Sequence, residues 1–366
     1  MIHVEKDAEN GTDIFQLLED PRPADDLYGE QPYSSPDGNR VLVRHFDTDK
    51  AKGGLTVLEL TDGESHPVLN HSTPTLAAFH AWGENFYYQE PIQNSLILMK
   101  CNFGSQETTE ITELPDAGGN YSYGTVSPDE NLYVASVHPP DESSLLVLVN
   151  LNTGEDRILA ESAEQWFKHE QFSRDGRNKI LIQANSSDVS VVNLGEVDPD
   201  TGEIDWFPVD APPPAGTGNW PGGQQHTPRC TGHEAWIGRS KRIFLSTGYD
   251  ETTGTNIWTA AADEKSPEPV GGGDHTFGHV SVSRCGRFWI ADAPREDNVP
   301  VYAGAFETGK WRRVVFSRTL HDGKQWSHTH PYLTADNRWL VFNSNRSGLP
   351  QIHGARLPEG FLEELL

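Results

Sequence analysis

A short apolar strand, a turn built on an acidic residue and a second, more hydrophobic strand recur along this chain, as YSSPDGNRVLV, GTVSPDENLYVA, EQFSRDGRNKILI and YLTADNRWLVF. Aligned on the turn residue, these copies fall at Asp37, Asp129, Asp175 and Asp336, and weaker copies put Gly83, Arg239 and Cys285 at the same point. The intervals 37 to 83, 83 to 129, 129 to 175 and 239 to 285 are all 46 residues, and the remaining two are 64 and 51. Each unit continues with a third strand, such as LTVLEL, LLVLVNL or NIWTAAA, and a fourth after a polar turn. A four-stranded unit of this length cannot bury both faces alone, so the units must stack on one another. The expectation is an all-β chain: a seven-bladed β-propeller of four-stranded antiparallel blades, one domain over residues 1–366.

The last unit ends in ARLPEGFLEELL, with no obvious fourth strand, whereas DIFQLLE (residues 13–19) precedes the first unit. The N-terminal segment is expected to complete the last blade. Asp and Glu number 54 against 28 Lys and Arg, a formal net charge of -26. Nucleic-acid affinity rests on a basic footprint, so DNA and RNA are excluded as partners. An anionic ligand would need a small cationic pocket set within that field. No run approaches the roughly 18 apolar residues of a membrane span, and the start lacks a secretory pattern, so a cytoplasmic protein with no membrane partner is expected. Cys101, Cys230 and Cys285 are too scattered for a disulfide framework and are expected to be reduced and buried.

The repeat frame also aligns histidines. Six residues before the turn position stand His169, His233, His279 and His330 in units four to seven, where units one to three carry Gln31, Ala77 and Tyr123. In a propeller this position begins the innermost strand, beside the axis, so the four imidazoles should converge. Such histidines can serve as hydrogen-bonding pegs between blades or as ligands. QWSHTHP, with Gln325, His328 and His330, adds a carboxamide and a second imidazole, which with neutral His side chains are donors a divalent transition metal accepts. There is no GxSxG elbow and no phosphate-cradling glycine loop.

Together, the repeats and the stretches TGHEAW, GHVSVS and QWSHTHPYLT resemble oligogalacturonate lyases, and more loosely the TolB-type propeller. The resemblance covers nearly the whole chain, although units five and six depart from the usual SPDG turn with IGRS and SRCG. It implies a divalent metal, manganese, held by His279, Gln325, His328 and His330, with His233 as general base. It further implies β-elimination on short 4-linked galacturonate oligomers in pectin breakdown: the C5 proton is removed and the C4 oxygen expelled. A carboxylate-bound cation would stabilise the charge that develops, and a neutral imidazole can accept the proton. The long interval between units four and five carries NWPGGQQHTPRCTGHE, which delivers His226 and Arg229 beside His233. Arg229 is the candidate clamp for a substrate carboxylate, with His226 and His169 as further contacts. Trp220 could stack on a sugar ring or pin its own loop. Two other readings remain: a non-catalytic TolB-like binding module, and a lyase for another uronide.

Overall fold

The structure, a computed structural model, describes residues 1–46, 53–70, 76–78, 80–141, 143–222, 225–320 and 327–366. Among these residues there is no α-helix, and the strands form seven antiparallel sheets in a ring, a seven-bladed β-propeller. Blade 4 shows the plan, running outward from the axis as Gln165–Phe172, Ile180–Ser186, Val192–Val197 and Ile204–Trp206. Blade 3 differs in having its inner strand split into Asn120–Tyr121 and Thr125–Val126. Blade 7 starts with Tyr332–Leu333, Trp339–Ser344 and Gln351–Arg356. Two N-terminal strands complete it, Asp13–Gln16 paired with Gln351–Arg356 and Ile2–Lys6 outside that.

The recurrent acidic turn has one physical cause. In blade 4 the Ser173 hydroxyl donates to Asp175 at 2.9 Å, and Asp175 accepts the Arg177 backbone N–H at 3.0 Å. Thr334 and Asp336 repeat this in blade 7, at 2.7 Å and with the Arg338 N–H at 3.1 Å. A short side chain that captures its own backbone two residues on closes the turn locally. Blades 5 and 6 use another device. Gly238 and Gly286, both at positive φ, lie so close that a Cβ on Gly238 would come within 2.9 Å of the Gly286 Cα. That contact accounts for glycine in IGRS and SRCG. Cys101 and Cys230 are buried, but Cys285 is exposed, contrary to expectation, because it sits at this turn rather than in a strand.

Alternating apolar residues on both faces of each sheet produce seven hydrophobic seams, one between each pair of neighbouring blades. The seam between blades 6 and 7 gathers Ile290, Val301, Val314, Leu340 and Phe342, and receives Ile14 from the N-terminal strand at 1% exposure. Burying an aliphatic side chain of this size contributes about 1.5–3 kcal/mol.

The inner strands deliver polar groups to the axis. In blade 4 the pairing register breaks between Lys168 and Gln171, and His169 has φ +58°. In blade 5 it breaks between Cys230 and Glu234, with Gly232 at φ +82°. An extra residue in a strand re-aims the side chains that follow it. His169 Nδ1 consequently lies 3.3 Å from Glu30 Oε2 and 3.4 Å from Glu234 Oε1, joining blades 1, 4 and 5. Burial alone would lower the proton affinity of His169, but Glu30 and Glu234 outweigh it and raise its pKa to about 10.

Two expectations follow. In the unfolded chain His169 titrates near the ordinary 6.5. Its stabilising charge is therefore fully present below that value and lost as pH rises through about 10. Wild type should lose more thermal stability between pH 7 and pH 10 than His169→Gln, and parallel losses would remove the imidazolium from the account. Ile14→Ala should cost about 2–5 kcal/mol in chemical denaturation if the N-terminal strand packs as a core element; a cost below about 0.5 kcal/mol would contradict that packing.

Candidate metal and proton-transfer site

His279, at the head of the inner strand of blade 6, meets His328 and His330, which precede the inner strand of blade 7. Their ligand nitrogens all lie within 4.8 Å of one another, and His279 Nε2 is 3.2 Å from His328 Nδ1. Asp292 fixes the orientation: one carboxylate oxygen accepts the His279 backbone N–H at 2.8 Å, and the other lies 2.9 Å from Nδ1. With Nδ1–H donated to Asp292, Nε2 offers its lone pair to the cluster. Burial, followed by the charges of His279, His233, His328 and Arg44, pushes the pKa of His330 well below its ordinary value, so this imidazole stays neutral. His279 behaves oppositely: burial lowers its proton affinity, but Asp292 outweighs that and raises it.

These residues fit a divalent first-row cation. Metal–nitrogen bonds of about 2.1 Å place adjacent ligand nitrogens roughly 3.0–3.4 Å apart, which the His279–His328 separation matches. Three imidazole nitrogens suit zinc, nickel, copper or iron, while manganese favours added oxygen donors such as a carboxamide or water. Gln325, the expected fourth ligand, lies outside the described residues.

His233 stands beside this cluster, its ring centroid 4.4 Å from that of His279. Its Nδ1 lies 2.7 Å from Glu30 Oε1 and 3.4 Å from the Tyr28 hydroxyl. Burial first, then the charge of His279, lowers the pKa of His233, leaving it neutral near pH 7. Glu30 remains ionised: burial would raise its pKa, but His169 and hydrogen bonds from His169 and His233 bring it below the ordinary value. A carboxylate on Nδ1 sets the tautomer in which Nε2 carries the lone pair. Tyr28 also reaches His169, with its hydroxyl 3.2 Å from Nε2.

Glu30, His169 and Glu234 meet the spacing of a cation site as well. A protonated His169 between the two carboxylates explains their approach without an ion, and the raised pKa of His169 supports that reading.

A cavity of about 360 Å³ opens beside these groups, lined by Tyr28, Glu30, Tyr123, Lys168, His169 and His330 among others. Arg44 also faces it, but is already held by Asp25 at 2.6 Å. Lys168 Nζ has no carboxylate within ion-pair distance among the described residues; its neighbour is the Trp166 ring, 5.8 Å away.

The insertion residues do not join this cavity. Arg229 is exposed, and its Nη1 donates to the Val189 carbonyl at 3.0 Å. His226 packs against Trp220 at 5.8 Å, and Trp220 leans on the seam between blades 3 and 4 and faces a separate cleft with Arg177 and Lys241. The long loop folds back along the outside of blade 4, where Asn219 bridges to Asp205, so its length gave no guide to its direction. Sequence reasoning missed Tyr28, Glu30, Arg44, Lys168 and Glu234. The repeat frame marks none of them, although Glu30, Lys168 and Glu234 each adjoin a framed residue, Gln31, His169 and His233 respectively.

No protein-family model matches the chain, and no curated protein matches it either. Solved structures do. An oligogalacturonate lyase from Vibrio parahaemolyticus superposes with a TM-score of 0.74 at 17% identity, over 98% of this chain and 96% of that one. An oligogalacturonate lyase in complex with manganese gives 0.74 at 16%, over 99% and 98%. A prolyl endopeptidase gives 0.56 at 15%, over 91% of this chain but 51% of its own length. The likeness to the two lyases, end to end in both chains, establishes a shared seven-bladed fold.

Proposed function

We propose that this chain is a metal-dependent lyase that cleaves short 4-linked galacturonate oligomers by β-elimination, as in pectin breakdown. The observation that carries the reading is the neutral His233, held by Glu30 at 2.7 Å, beside three imidazoles gathered as ligands. The likeness to an oligogalacturonate lyase in complex with manganese supports both the substrate class and the ion.

His279, His328 and His330 would hold the metal, and Gln325, outside the described residues, is the proposed fourth donor. When bound, the metal supplies positive charge against the substrate carboxylate and so stabilises the negative charge that develops at C5. His233 Nε2 takes the C5 proton. Its Nδ1–H stays with Glu30, whose carboxylate stabilises the imidazolium that forms. The C5–C4 double bond forms as the C4–O bond breaks, and the leaving oxygen departs with the bonding pair. Tyr28, whose phenol burial keeps protonated, donates a proton to that oxygen. Lys168, rather than Arg229, holds the carboxylate of a neighbouring sugar, because it faces the cavity and, among the described residues, has no carboxylate within ion-pair distance.

A binding module is the second reading, favoured by His169, which ties three blades together through Glu30 and Glu234. Two measurements separate the readings. The purified protein should carry about one divalent ion per chain and lose it in His328→Ala; stoichiometric metal in that variant would remove His328 from the site. Incubation with digalacturonate and trigalacturonate should release a conjugated unsaturated product, with a chelator stopping it. His233→Ala should keep the metal and fold yet lose roughly 10²–10⁴-fold in turnover. Glu30→Gln should lower turnover less than this while retaining the metal. Wild type inert towards every galacturonate oligomer would overturn this substrate assignment and leave the binding module and a lyase for another uronide.

A further inference from the structure

The opposite end of the axis holds a second polar cluster that the lyase reading does not use. Arg174, Arg239 and Arg284 occupy the turns that close the inner strands of blades 4, 5 and 6, five or six residues beyond His169, His233 and His279. Along extended chain that separates them from the axial histidines by about 16–20 Å. All three line one cavity of about 200 Å³, together with Gln31, Trp82 and Thr125, and no carboxylate is among its walls. Gln31 also lines the larger cavity beside the metal cluster, so the two share a wall at the axis.

The absence of acid there is unusual for this chain. With 54 acidic against 28 basic residues, most arginines have a carboxylate partner: Arg313 has Asp7 and Glu9, Arg242 has Glu264 and Glu268, Arg177 has Asp175 and Glu196. Among the described residues, none of the three axial arginines has one. Arg284 Nη1 donates to the Pro36 carbonyl at 2.9 Å, which offsets no charge. Arg174 lies with its guanidinium 4.4 Å over the Trp82 ring, and its Nη1 is buried with no hydrogen-bond partner. A stacked guanidinium is held flat and rigid, with its N–H edge free to face a ligand. Burial, then the charges of Arg284 and Arg239, depress its pKa to about 10, the mark of three cations gathered without an anion.

We propose that this cluster is a binding site for a phosphate-class oxyanion, either inorganic phosphate or the phosphate of a small ester. A tetrahedral dianion offers more acceptors and more charge than a carboxylate, and three converging guanidiniums match both. The overall negative charge of the protein repels anions from most of its surface and makes this mouth selective by contrast. The proposal is independent of the lyase reading, because none of its residues touches the imidazole cluster.

Isothermal titration of the metal-loaded full chain with inorganic phosphate and with glycerol phosphate tests it. One saturable site per chain is expected, with tighter binding of one ligand telling free ion from ester. Arg239→Gln and Arg284→Gln, both at exposed positions, should each weaken binding about tenfold or more, the usual scale for losing charge-assisted hydrogen bonds. Arg174→Gln should do the same, and the two exposed variants keep the test decisive if it folds poorly. No saturable binding up to about 10 mM would overturn the proposal, that being weaker than even a millimolar site. So would phosphate affinity that survives both exposed variants and disappears in His328→Ala, which would place the anion on the metal. Binding of monogalacturonate in place of phosphate would overturn the assigned class.

Discussion

Two dehydrated carboxylates, Glu30 at 5% exposure and Glu234 at 0%, are the groups around which the axis is organised. Stripping water from an ionised carboxylate costs several kcal/mol unless partners replace it. The partners here come from other blades: His169 between the two acids, His233 on Glu30, and Gln183 on Glu234 at 3.3 Å. Tyr28 adds a hydroxyl between the two imidazoles. No blade could hold its acid alone, so the ring and its polar axis depend on each other.

That dependence gives neighbouring histidines opposite characters. His169, flanked by two acids, is charged near neutral pH, whereas His233, with one acid and the cationic side of His279 next to it, is neutral. His330, crowded by three other imidazoles and Arg44, is the least basic of the group. One repeated sequence position thus yields one charged imidazole and two neutral ones, and the difference lies wholly in what each blade's neighbours supply.

The blades were legible because the signals that define them are local. The turn at Asp175 closes on Ser173 and Arg177, and the strands around it alternate within a few residues. The axial histidines were legible through the spacing of those turns. Glu30 and Glu234 were not, because the frame points at Gln31 and His233 and says nothing about the residue beside them. Arg229 shows the other limit. It lies four residues from His233 in sequence, yet the bulge in the inner strand of blade 5 and the loop's return along blade 4 take it to the Val189 carbonyl. Lys168 carries no motif at all, and only its place in a cavity wall distinguishes it from a surface lysine.

The composite seventh blade bears on how the chain is made. Asp13 and Arg356, 343 residues apart, are joined in its sheet. During synthesis at roughly 5–20 residues per second, the N-terminal strands wait about 20–70 seconds for Gln351–Arg356 to emerge. Through that interval Ile14 has no seam to enter, and the edge of Asp13–Gln16 is open to any strand of matching pattern. The first candidate nearby is the same segment of another growing chain, or its finished blade 7. Ring closure is therefore also the step at which two chains could exchange ends, and a chain stalled before residue 351 presents a sticky edge to the translation machinery's surroundings rather than a nearly complete propeller.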